Sequence, residues 1–502
     1  MQIDVSTASK DELAAAYLSL EKQLQSKENT ITILEQRISW FERQIFGAKS
    51  ERLIPQDPKQ TTLFEVPEEI PAETTTIKSY ERENRRNPTD TETDSKLRFD
   101  ANVPVEEEVI LPAEVEGLEE NQYTVVGEKV TERLVQEPLK FRVKRTIRKT
   151  VKIHESQTLH TAPAPAAVIE RSFADVTVLA GLVTDKFLYH LPLYRQHQRL
   201  ERCGIHISRG HLTRLTHRTL ELLEPIYLAV LSSIVTNDVI SMDETPIKAG
   251  RKGKGKMQTA YFWPVYAGEQ VAFVYSSTRG HKVVSEILGT HCQKLLSDGY
   301  SAYERYAETR EDLIHAQCWA HVRRKFFDGK EHAPPECEQI LALIAKLFEI
   351  EAKIKDASEE EIYLARREQS LGVVYELFEY FDHLWFEKMV DKTSLLGKAL
   401  QYAKNREKAL KQFLYHPDIA ISNNHVERAI RPVAVGRKNW MFCWSEVGAK
   451  YAAIAFTLVE CCKMHGVDPW KYFVDVLQRI DTHPARDVHM LTPALWKEHF
   501  GG

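Results

Sequence analysis

Two acidic residues stand at the ends of short apolar runs that are typical of buried strands. Asp243 follows Val239–Met242, and Asp298 follows Lys294–Ser297. If these runs are neighbouring strands, both carboxylates meet at one edge of a sheet, and the chain order makes this the simplest arrangement. Carboxylates that lie close together repel each other unless a cation lies between them, and hard oxygen ligands select Mg²⁺ or Mn²⁺. The pair therefore predicts a divalent metal site.

A third carboxylate is needed to hold a second ion at the roughly 3.5–4 Å spacing used for in-line displacement at phosphorus. Glu427 is the candidate. It shares one face of a predicted helix with Asn424, Arg428 and Arg431. A single acid at a strand end is commonly a turn or helix cap, and Asp238 and Glu244 are nearby acids. The combination of three is more specific than any member alone.

Basic and aromatic residues around these acids are of the types that hold phosphates and stack on bases. One group follows Glu427, a second lies in a Lys/Gly loop, and a third opens the helix after Cys318. Together we predict DNA contacts from Arg428, Arg431, Arg437, Lys438, Trp440, Lys252, Lys254, Lys256, His321, Arg323 and Arg324.

The elements that must position these residues form a mixed α/β pattern. Apolar runs predict strands at 239–243, 261–266, 271–275, 294–298 and 313–317, with a crossover helix near 281–288. Residues 335–412 have helical periodicity throughout, and two more helices follow the Glu427 segment. We expect a mixed sheet with helices around it.

The first 54 residues predict a helix that needs a partner. Apolar residues follow alternating spacings of four and three, which is the pattern of a coiled coil. A long helix packed on the chain's own body is the alternative. The following segment, 55–100, is rich in Pro, Thr, Glu and Asp and predicts a flexible linker.

Residues 101–165 predict a small β-rich domain with an acidic stretch at 106–120 and a basic one at 140–152. In the basic stretch, apolar residues of one parity predict a half-buried strand whose other face is cationic. Arg142 and Lys144 would then run along phosphates. The alternative is a solvated edge strand that its charges protect from aggregation.

Residues 166–230 predict a helical region that resembles a helix-turn-helix. A helix at 193–202 is followed by a Gly-containing turn, and Ser208 caps a second helix that carries Arg214 and Arg218. The second helix of such a motif can enter the major groove. Many helical hairpins look alike, however, so the pattern by itself is weak.

Composition narrows the class of protein further. The chain has 502 residues, which predicts several domains, and its formal charge of −5 excludes a uniformly basic, histone-like binder while leaving local basic patches open. No apolar run is long enough for a spanning helix, and the start is unlike a signal peptide. The seven cysteines suit a reducing compartment. We therefore expect a cytoplasmic, nucleoid-associated protein without membrane contact.

The motifs around the acids resemble those of the insertion-sequence-66 family of transposases, a group with a DDE-type active site. The strings that carry the resemblance are Asp243-Glu-Thr-Pro246, Asp298-Gly-Tyr-Ser-Ala-Tyr303, Cys318-Trp-Ala-His-Val-Arg-Arg-Lys-Phe-Phe-Asp328, Asn423-Asn-His-Val-Glu-Arg-Ala-Ile-Arg-Pro432, Gly436-Arg-Lys-Asn-Trp440, His190-Leu-Pro-Leu-Tyr-Arg195 and Gln44-Ile-Phe-Gly-Ala-Lys-Ser-Glu-Arg52.

The resemblance implies a ribonuclease H-like DDE catalytic domain at 231–465, interrupted by a helical insertion at about 335–412 and followed by a C-terminal helical extension at 466–502. Asp243, Asp298 and Glu427 would be the triad. They would hold two Mg²⁺ (or Mn²⁺) ions for cleavage of the element's ends and strand transfer into target DNA. Accessory proteins encoded by the element are possible partners, and the coiled coil predicts a homodimer or higher oligomer.

Relatives commonly carry a Cys-rich zinc ribbon between the coiled coil and the helical region. Here the first 202 residues contain no cysteine. We therefore expect no zinc, with 101–165 as a ribbon-like remnant without metal ligands. Cys318 with His321, and Cys461-Cys462 with His465, resemble ligand pairs only superficially.

Two other functions stay open at the level of the sequence. One is a dimeric DNA-binding protein that has lost catalysis, although three intact acids speak against it. The other is a ribonuclease H-like, structure-specific nuclease that cuts strands but never joins them. Cleavage of an end-sequence duplex with Mn²⁺ separates the first from a transposase, and joining of strands separates the second.

Overall fold

The computed structural model describes residues 97–137, 140–156, 158–165, 167–169, 172–253, 256–441, 443 and 445–500. The predicted coiled coil at 1–54 and most of the linker at 55–100 lie outside these residues. The described chain is a mixed α/β structure, as predicted. Its strands are β1 (Arg98–Phe99), β2 (Val105–Ile110), β3 (Tyr123–Glu137), β4 (Lys140–Ile153), β5 (Leu159–Thr161), β6 (Ile205–His206), β7 (Val239–Met242), β8 (Thr245–Gly253), β9 (Lys256–Ala267), β10 (Gln270–Ser276), β11 (Lys294–Ser297) and β12 (Ile314–Gln317).

Sixteen α-helices are present in the described part of the chain. They are α1 (Val176–Phe187), α2 (Leu193–Arg202), α3 (Arg209–Leu222), α4 (Glu224–Val235), α5 (His281–Leu288), α6 (Ser301–Glu308), α7 (Trp319–Gly329), α8 (Pro334–Lys353), α9 (Glu359–Ala365), α10 (Leu371–Asp382), α11 (Leu395–Lys404), α12 (Glu407–Leu410), α13 (Asn424–Trp440), α14 (Glu446–Met464), α15 (Pro469–Arg479) and α16 (Pro493–His499).

The largest sheet has the strand order β10-β9-β7-β11-β12, and β8 also pairs with β9. Strands β7, β9 and β10 form the antiparallel meander that the sequence predicts, whereas β11 runs parallel to both β7 and β12. The crossover between β10 and β11 contains α5, as predicted. A parallel connection needs such a crossover, because the chain must return to the same end of the sheet.

Strand β8 corrects a prediction from the sequence, which indicated a Lys/Gly loop at 251–256 and no strand between 243 and 261. Residues Thr245–Gly253 instead pair antiparallel with β9, and the register shifts near Lys248 and Arg251. The stretch is rich in Lys, Arg and Gly, and this composition does not predict a strand. Pairing with the long β9 supplies the hydrogen bonds that the local sequence does not indicate.

Two hydrophobic cores lie on opposite faces of this sheet. Leu295 belongs to the larger core, which also contains α14, whereas its neighbour Leu296 belongs to a second core built from α7, α8, α10 and α11. Successive residues of a strand point to opposite faces, so a four-residue strand contributes to both cores. The region predicted as all-helical, 335–412, supplies most of the second core.

The helical region also contacts the turn that carries Asp298. Arg406 Nη2 donates a hydrogen bond of 2.8 Å to the Gly299 carbonyl and lies 3.0 Å from the Glu304 carboxylate. A Cβ atom on Gly299 would lie 2.4 Å from the Tyr402 hydroxyl oxygen, so a side chain larger than glycine does not fit without a shift. The packing of the helices thus fixes the backbone beside Asp298.

A separate four-stranded sheet contains β2, β4 and β3 in that order, with β5 also paired to β4. Strand β4 therefore has a neighbour on each side. The alternative that β4 is a solvated edge strand is wrong, because the acidic strand β2 pairs with it in parallel register. Long-range pairing of this kind is set by contacts between distant residues, which strand composition alone does not reveal.

The predicted helix-turn-helix segment has the expected elements. Helix α2 spans Leu193–Arg202, and the Ser208 hydroxyl accepts a hydrogen bond of 3.2 Å from the His211 backbone N–H at the start of α3. The turn between them contains β6, which pairs with β1. The last residues of the predicted linker are therefore bound to this turn.

Candidate active site

Asp243 and Asp298 lie at the carboxyl ends of adjacent parallel strands. The register pairs Leu295 with Ile240 and Leu296 with Ser241, so both chains leave the sheet at the same edge. The sequence predicted this adjacency, and the strand pairing confirms it. Carboxylate oxygens of Asp243, Asp298 and Glu244 lie within 4.8 Å of one another. The third member of this cluster is Glu244, whereas the predicted third acid, Glu427, does not belong to it.

Glu244 is the acid that the sequence analysis passed over. Its side chain is only 2 % exposed. Arg279 donates to Glu244 Oε1 through Nε at 3.0 Å, and the buried Tyr303 hydroxyl donates to Oε2 at 2.7 Å. Its position directly after Asp243, where β7 ends, was the available signal. An Arg and a Tyr therefore balance one of the acids within the protein itself.

The crowding of acids changes the affinity of Asp243 for its proton. Burial raises the pKa of Asp243 to about 8, and the negative charges of Asp298, Glu244 and Glu427 act in the same direction. Burial and the charge of Asp298 also raise the pKa of Glu244, whereas its bonds to Arg279 and Tyr303 lower it. The site concentrates negative charge away from water, which a bound cation would relieve.

Glu427 lies in the first turn of α13, and the start of this helix is joined directly to the end of β7. The fully buried Asn423 donates a side-chain hydrogen bond of 2.8 Å to the Met242 carbonyl. Its backbone N–H also contacts Cys318 Sγ at 3.2 Å. These contacts place Glu427 on the side of the sheet edge that carries Asp243, close enough for its charge to raise the pKa of Asp243.

Helix α7 supplies two neighbours to Glu427, the imidazole of His321 and the cationic guanidinium of Arg324. His321 Nε2 lies 3.5 Å from Glu427 Oε1, and Arg324 Nη2 lies 3.3 Å from Oε2. Burial lowers the pKa of His321, while the charges of Asp298 and Glu427 act in the opposite direction. His321 is therefore close enough to both Asp298 and Glu427 for their charges to act on its pKa.

The donor set fits a hard divalent cation. All the candidate ligands are carboxylate oxygens, which Mg²⁺ and Mn²⁺ prefer. Glu427 Oε1 is buried and makes no hydrogen bond within the described residues. A buried carboxylate oxygen is costly without a partner, so this atom is suited to a ligand that enters the site.

The predicted DNA contacts near the site fall into two groups. Exposed on the surface are Arg323, Arg324, Arg428, Arg431, Lys438 and Lys256. Arg437 is engaged by the protein, because its Nη1 donates 2.6 Å to the Pro246 carbonyl and 2.9 Å to the Thr245 hydroxyl. The Trp440 ring packs beside Phe456 in the larger core. Lys254 and the side chain of Lys252 lie outside the described residues.

The more distant predicted contacts lie on β4 and α3. Lys144 Nζ is 3.0 Å from a Glu108 carboxylate oxygen, and Arg142 forms an ion pair with Glu106. Strand β2 thus neutralises cations that the sequence presents as a phosphate-binding face. Arg214 and Arg218 are exposed on α3. The DNA contacts of these four residues stay predictions.

The protein therefore has a mixed sheet that brings separated acids to one edge, with exposed cations around them. Comparison with known proteins assigns it to the transposases. A family model described as "Transposase IS66 family" matches residues 171–451, more than half of the chain, and "IS66 C-terminal element" matches 457–494. A third, "Transposase C of IS166 homeodomain", matches 33–107. The chain belongs to the IS66 family of transposases.

Three similar proteins come from Sinorhizobium fredii (strain NBRC 101917 / NGR234), each described as an uncharacterized protein. The chain is 34% identical to y4qI over 421 residues, which cover 79% of this chain and 76% of the relative. It is 31% identical to y4jD, covering 74% and 76%, and 30% identical to y4hP, covering 74% and 71%. The family supports a transposase role, with DNA as the partner. No helix in the described ranges is long and apolar enough to cross a membrane.

Proposed function

We propose that this protein is a DDE transposase that cleaves the ends of its insertion sequence and joins them to target DNA at a single active site. The observation that carries the proposal is the convergence of Asp243 and Asp298 at one sheet edge, with Glu427 joined to the same edge through Asn423. These three residues are the proposed catalytic triad.

The sheet supports a ribonuclease H-like catalytic core within residues 231–465. Three antiparallel strands are followed by two parallel ones, and the first strand lies in the middle of the order β10-β9-β7-β11-β12. The first proposed acid follows the central strand, and the second follows its parallel neighbour. The last acid comes after a helical segment that supplies most of the second core. For the other domains we propose the bounds that the sequence predicts.

Asp243, Asp298 and Glu427 would hold two Mg²⁺ or Mn²⁺ ions. When bound, these ions supply an activated nucleophile and charge stabilisation at a phosphoryl group. Phosphoryl transfer depends largely on positioning and charge neutralisation. His321 and Arg324 lie against Glu427, where a phosphate oxygen can receive hydrogen bonds from them. The exposed Arg428 and Arg431 extend this cationic wall along the DNA backbone.

An insertion sequence has two ends, and two copies of the protein can bind one end each, every copy with its own active site. We propose that the helix predicted at 1–54 forms a coiled coil that assembles a dimer or higher oligomer, and that the protein works at the nucleoid. Accessory proteins of the same element are possible further partners. These proposals rest on the heptad pattern and on the family, because the segment itself lies outside the described residues.

The test uses duplexes made from the DNA sequences that flank this reading frame on each side, with Mn²⁺ and a supercoiled plasmid as target. Asp243→Asn should abolish both cleavage and joining while DNA affinity stays within about twofold, because one metal ligand is lost without a change in the cationic surface. Gel assays measure the cut and joined products, and fluorescence anisotropy measures the affinity.

Asp238→Asn is the matched control, because this exposed residue precedes the same strand at its opposite end. The control should cut and join like the wild type. Full activity of Asp243→Asn would overturn the proposed mechanism. Cutting without joining in the wild type would favour the structure-specific nuclease, and binding without cutting would favour the DNA-binding protein that has lost catalysis.

A further inference from the structure

A groove with a volume of about 590 Å³ lies between α7 and α8, directly beside the proposed triad. Its lining is both apolar and charged: Ala320, Arg323, Arg324, Phe327, Ala345, Phe348, Glu349 and Asn424. Arg324 reaches from this groove to Glu427 at 3.3 Å. Asn424 opens α13, one turn before Glu427. The groove is therefore continuous with the catalytic edge.

Phe327 is the unusual residue of this groove. Its side chain is 58 % exposed, although it follows the fully buried Phe326 on the same helix. An exposed aromatic ring lacks the stabilisation that burial of its surface would give. A second aromatic residue, Phe348, lines the same groove. Two aromatic side chains in an open groove make a surface on which a flat ligand can stack.

The charges of the groove indicate which flat ligand it suits. Arg323 and Arg324 are exposed cations in the lining of the groove and can pair with a phosphate, while a base can stack on the Phe327 ring. The Asn424 amide and the Glu349 carboxylate offer polar atoms that can pair with the edge of a base. A nucleotide combines a phosphate, a base and a polar base edge in one molecule.

We infer that this groove binds an unpaired nucleobase of the DNA strand next to the phosphate that is cleaved, with the base stacked on Phe327. The inference rests on the proposed strand cleavage at the acidic cluster and identifies how the strand beside that cluster is held. A base inside a duplex cannot reach a protein ring, so the nucleotide must leave the helix or belong to a single-stranded end.

The first test compares two strands that differ only in their bases. A fluorescein-labelled 12-nucleotide oligothymidylate and an abasic strand of the same length carry the same phosphates. The full-length protein should bind the thymidylate more tightly by about 5- to 150-fold, the range expected for one stacked base. Phe327→Ala should lose most of this preference while its affinity for the abasic strand stays unchanged, and Phe327→Trp should keep the preference.

Phe386→Ala is the matched control, since Phe386 is also a phenylalanine, is 67 % exposed and does not line the groove. It should keep the wild-type preference. An equal loss for both strands in Phe327→Ala would overturn the inference, because the groove would then contact only the backbone. Melting curves of the variants should superimpose on the wild type, since both rings are exposed.

The second test places one abasic nucleotide next to the cleavage point of an end duplex. Wild-type cleavage should slow, and Phe327→Ala should cleave the intact and the abasic duplex at the same reduced rate, because each change removes the same contact. Additive effects would contradict a base contact near the cleaved phosphate. If no duplex is cleaved by any variant, the proposed function fails, whereas the strand preference in the first test still decides the role of Phe327.

Discussion

At the residue scale, the acids of the candidate site gain their properties from one another. Asp243 has a pKa of about 8 because it is buried and faces Asp298, Glu244 and Glu427. Glu244 is held by Arg279 and Tyr303, so part of the negative charge is balanced within the protein. A cation that binds the cluster must compete with the proton on these groups, and metal affinity should therefore rise with pH.

The raised pKa of Asp243 makes the stability of the metal-free protein depend on pH. Ionisation is harder in the folded state, so this group costs nothing below its usual pKa of 3.8 and destabilises progressively as pH rises towards about 8. Asp243→Asn removes the cost. The free energy of unfolding of this variant should exceed that of the wild type by a margin that grows from pH 5 to pH 8, by up to about 1.4 kcal/mol per pH unit. The difference between their melting temperatures should grow in the same direction.

Differential scanning fluorimetry in EDTA measures this margin, and Asp238→Asn serves as the control because its carboxylate is exposed. Addition of Mn²⁺ at pH 8 should raise the melting temperature of the wild type more than that of Asp243→Asn. If the two proteins kept the same pH dependence in EDTA, Asp243 would not be the group that holds the extra proton.

At the element scale, the start of α13 depends on a hydrogen bond to a residue far away in the sequence. Asn423 and Met242 are 181 positions apart, and their bond aligns a helix with the end of a strand. A buried carbonyl that loses its donor costs free energy, and a shift of about 1 Å in a reacting group can cost about 100-fold in rate. The geometry of the triad thus depends on this contact.

Asn423→Ala should lower the free energy of unfolding by about 1–3 kcal/mol, because the Met242 carbonyl is left without its partner. DNA cleavage should fall by about 10- to 100-fold, while DNA affinity should be unchanged because Asn423 is fully buried. Urea denaturation, cleavage assays and anisotropy measure the three quantities.

The exposed Asn439 on the same helix is the control for Asn423, since within the described residues its amide donates a hydrogen bond to the Val435 carbonyl one turn away. Asn439→Ala should change the free energy of unfolding by no more than about 0.5 kcal/mol and leave cleavage intact. Wild-type cleavage by a stably folded Asn423→Ala would show that this contact does not position Glu427.

At the scale of the whole molecule, pairing inside the protein divides the cations into two classes. Arg142 and Lys144 on β4 are paired with acids of β2, whereas Arg428 and Arg431 on α13 are exposed beside the triad. DNA binding releases counterions from phosphates only where a cation is available to replace them. The surface around α13 should therefore dominate the salt dependence of binding.

Arg431→Gln should reduce the slope of log affinity against log salt concentration by about 0.9, the value for one phosphate contact. Arg142→Gln should change the slope less, because its guanidinium group already has Glu106 and Glu137 as partners. Anisotropy titrations at salt concentrations between about 50 and 200 mM measure the two slopes.

An equal change of slope in the two variants would show that Arg142 leaves Glu106 and binds phosphate, as the basic stretch of the sequence predicts. A zero change for Arg431→Gln would remove α13 from the proposed DNA interface. Either result would change which residues form the proposed DNA-binding surface.

Local pattern in the sequence was sufficient for much of the fold. Short apolar runs that end in an acid predicted β7 and β11, the 3.6-residue periodicity predicted helices such as α2, and Ser208 was the predicted cap of α3. These features depend on residues that lie within a few positions of each other, so a short stretch of sequence is sufficient to predict them. The adjacency of Asp243 and Asp298 followed from the short connections that chains prefer.

Only the tertiary structure decided which distant groups meet. The pairing of acidic β2 with basic β4, the strand β8, the Arg279 and Tyr303 contacts of Glu244, and the packing of Trp440 all depend on residues far apart in the chain. Burial and pairing with such partners determine whether a charge is free to bind DNA or is already neutralised. A residue type indicates which chemistry is possible, but its partners in space determine whether that chemistry is available.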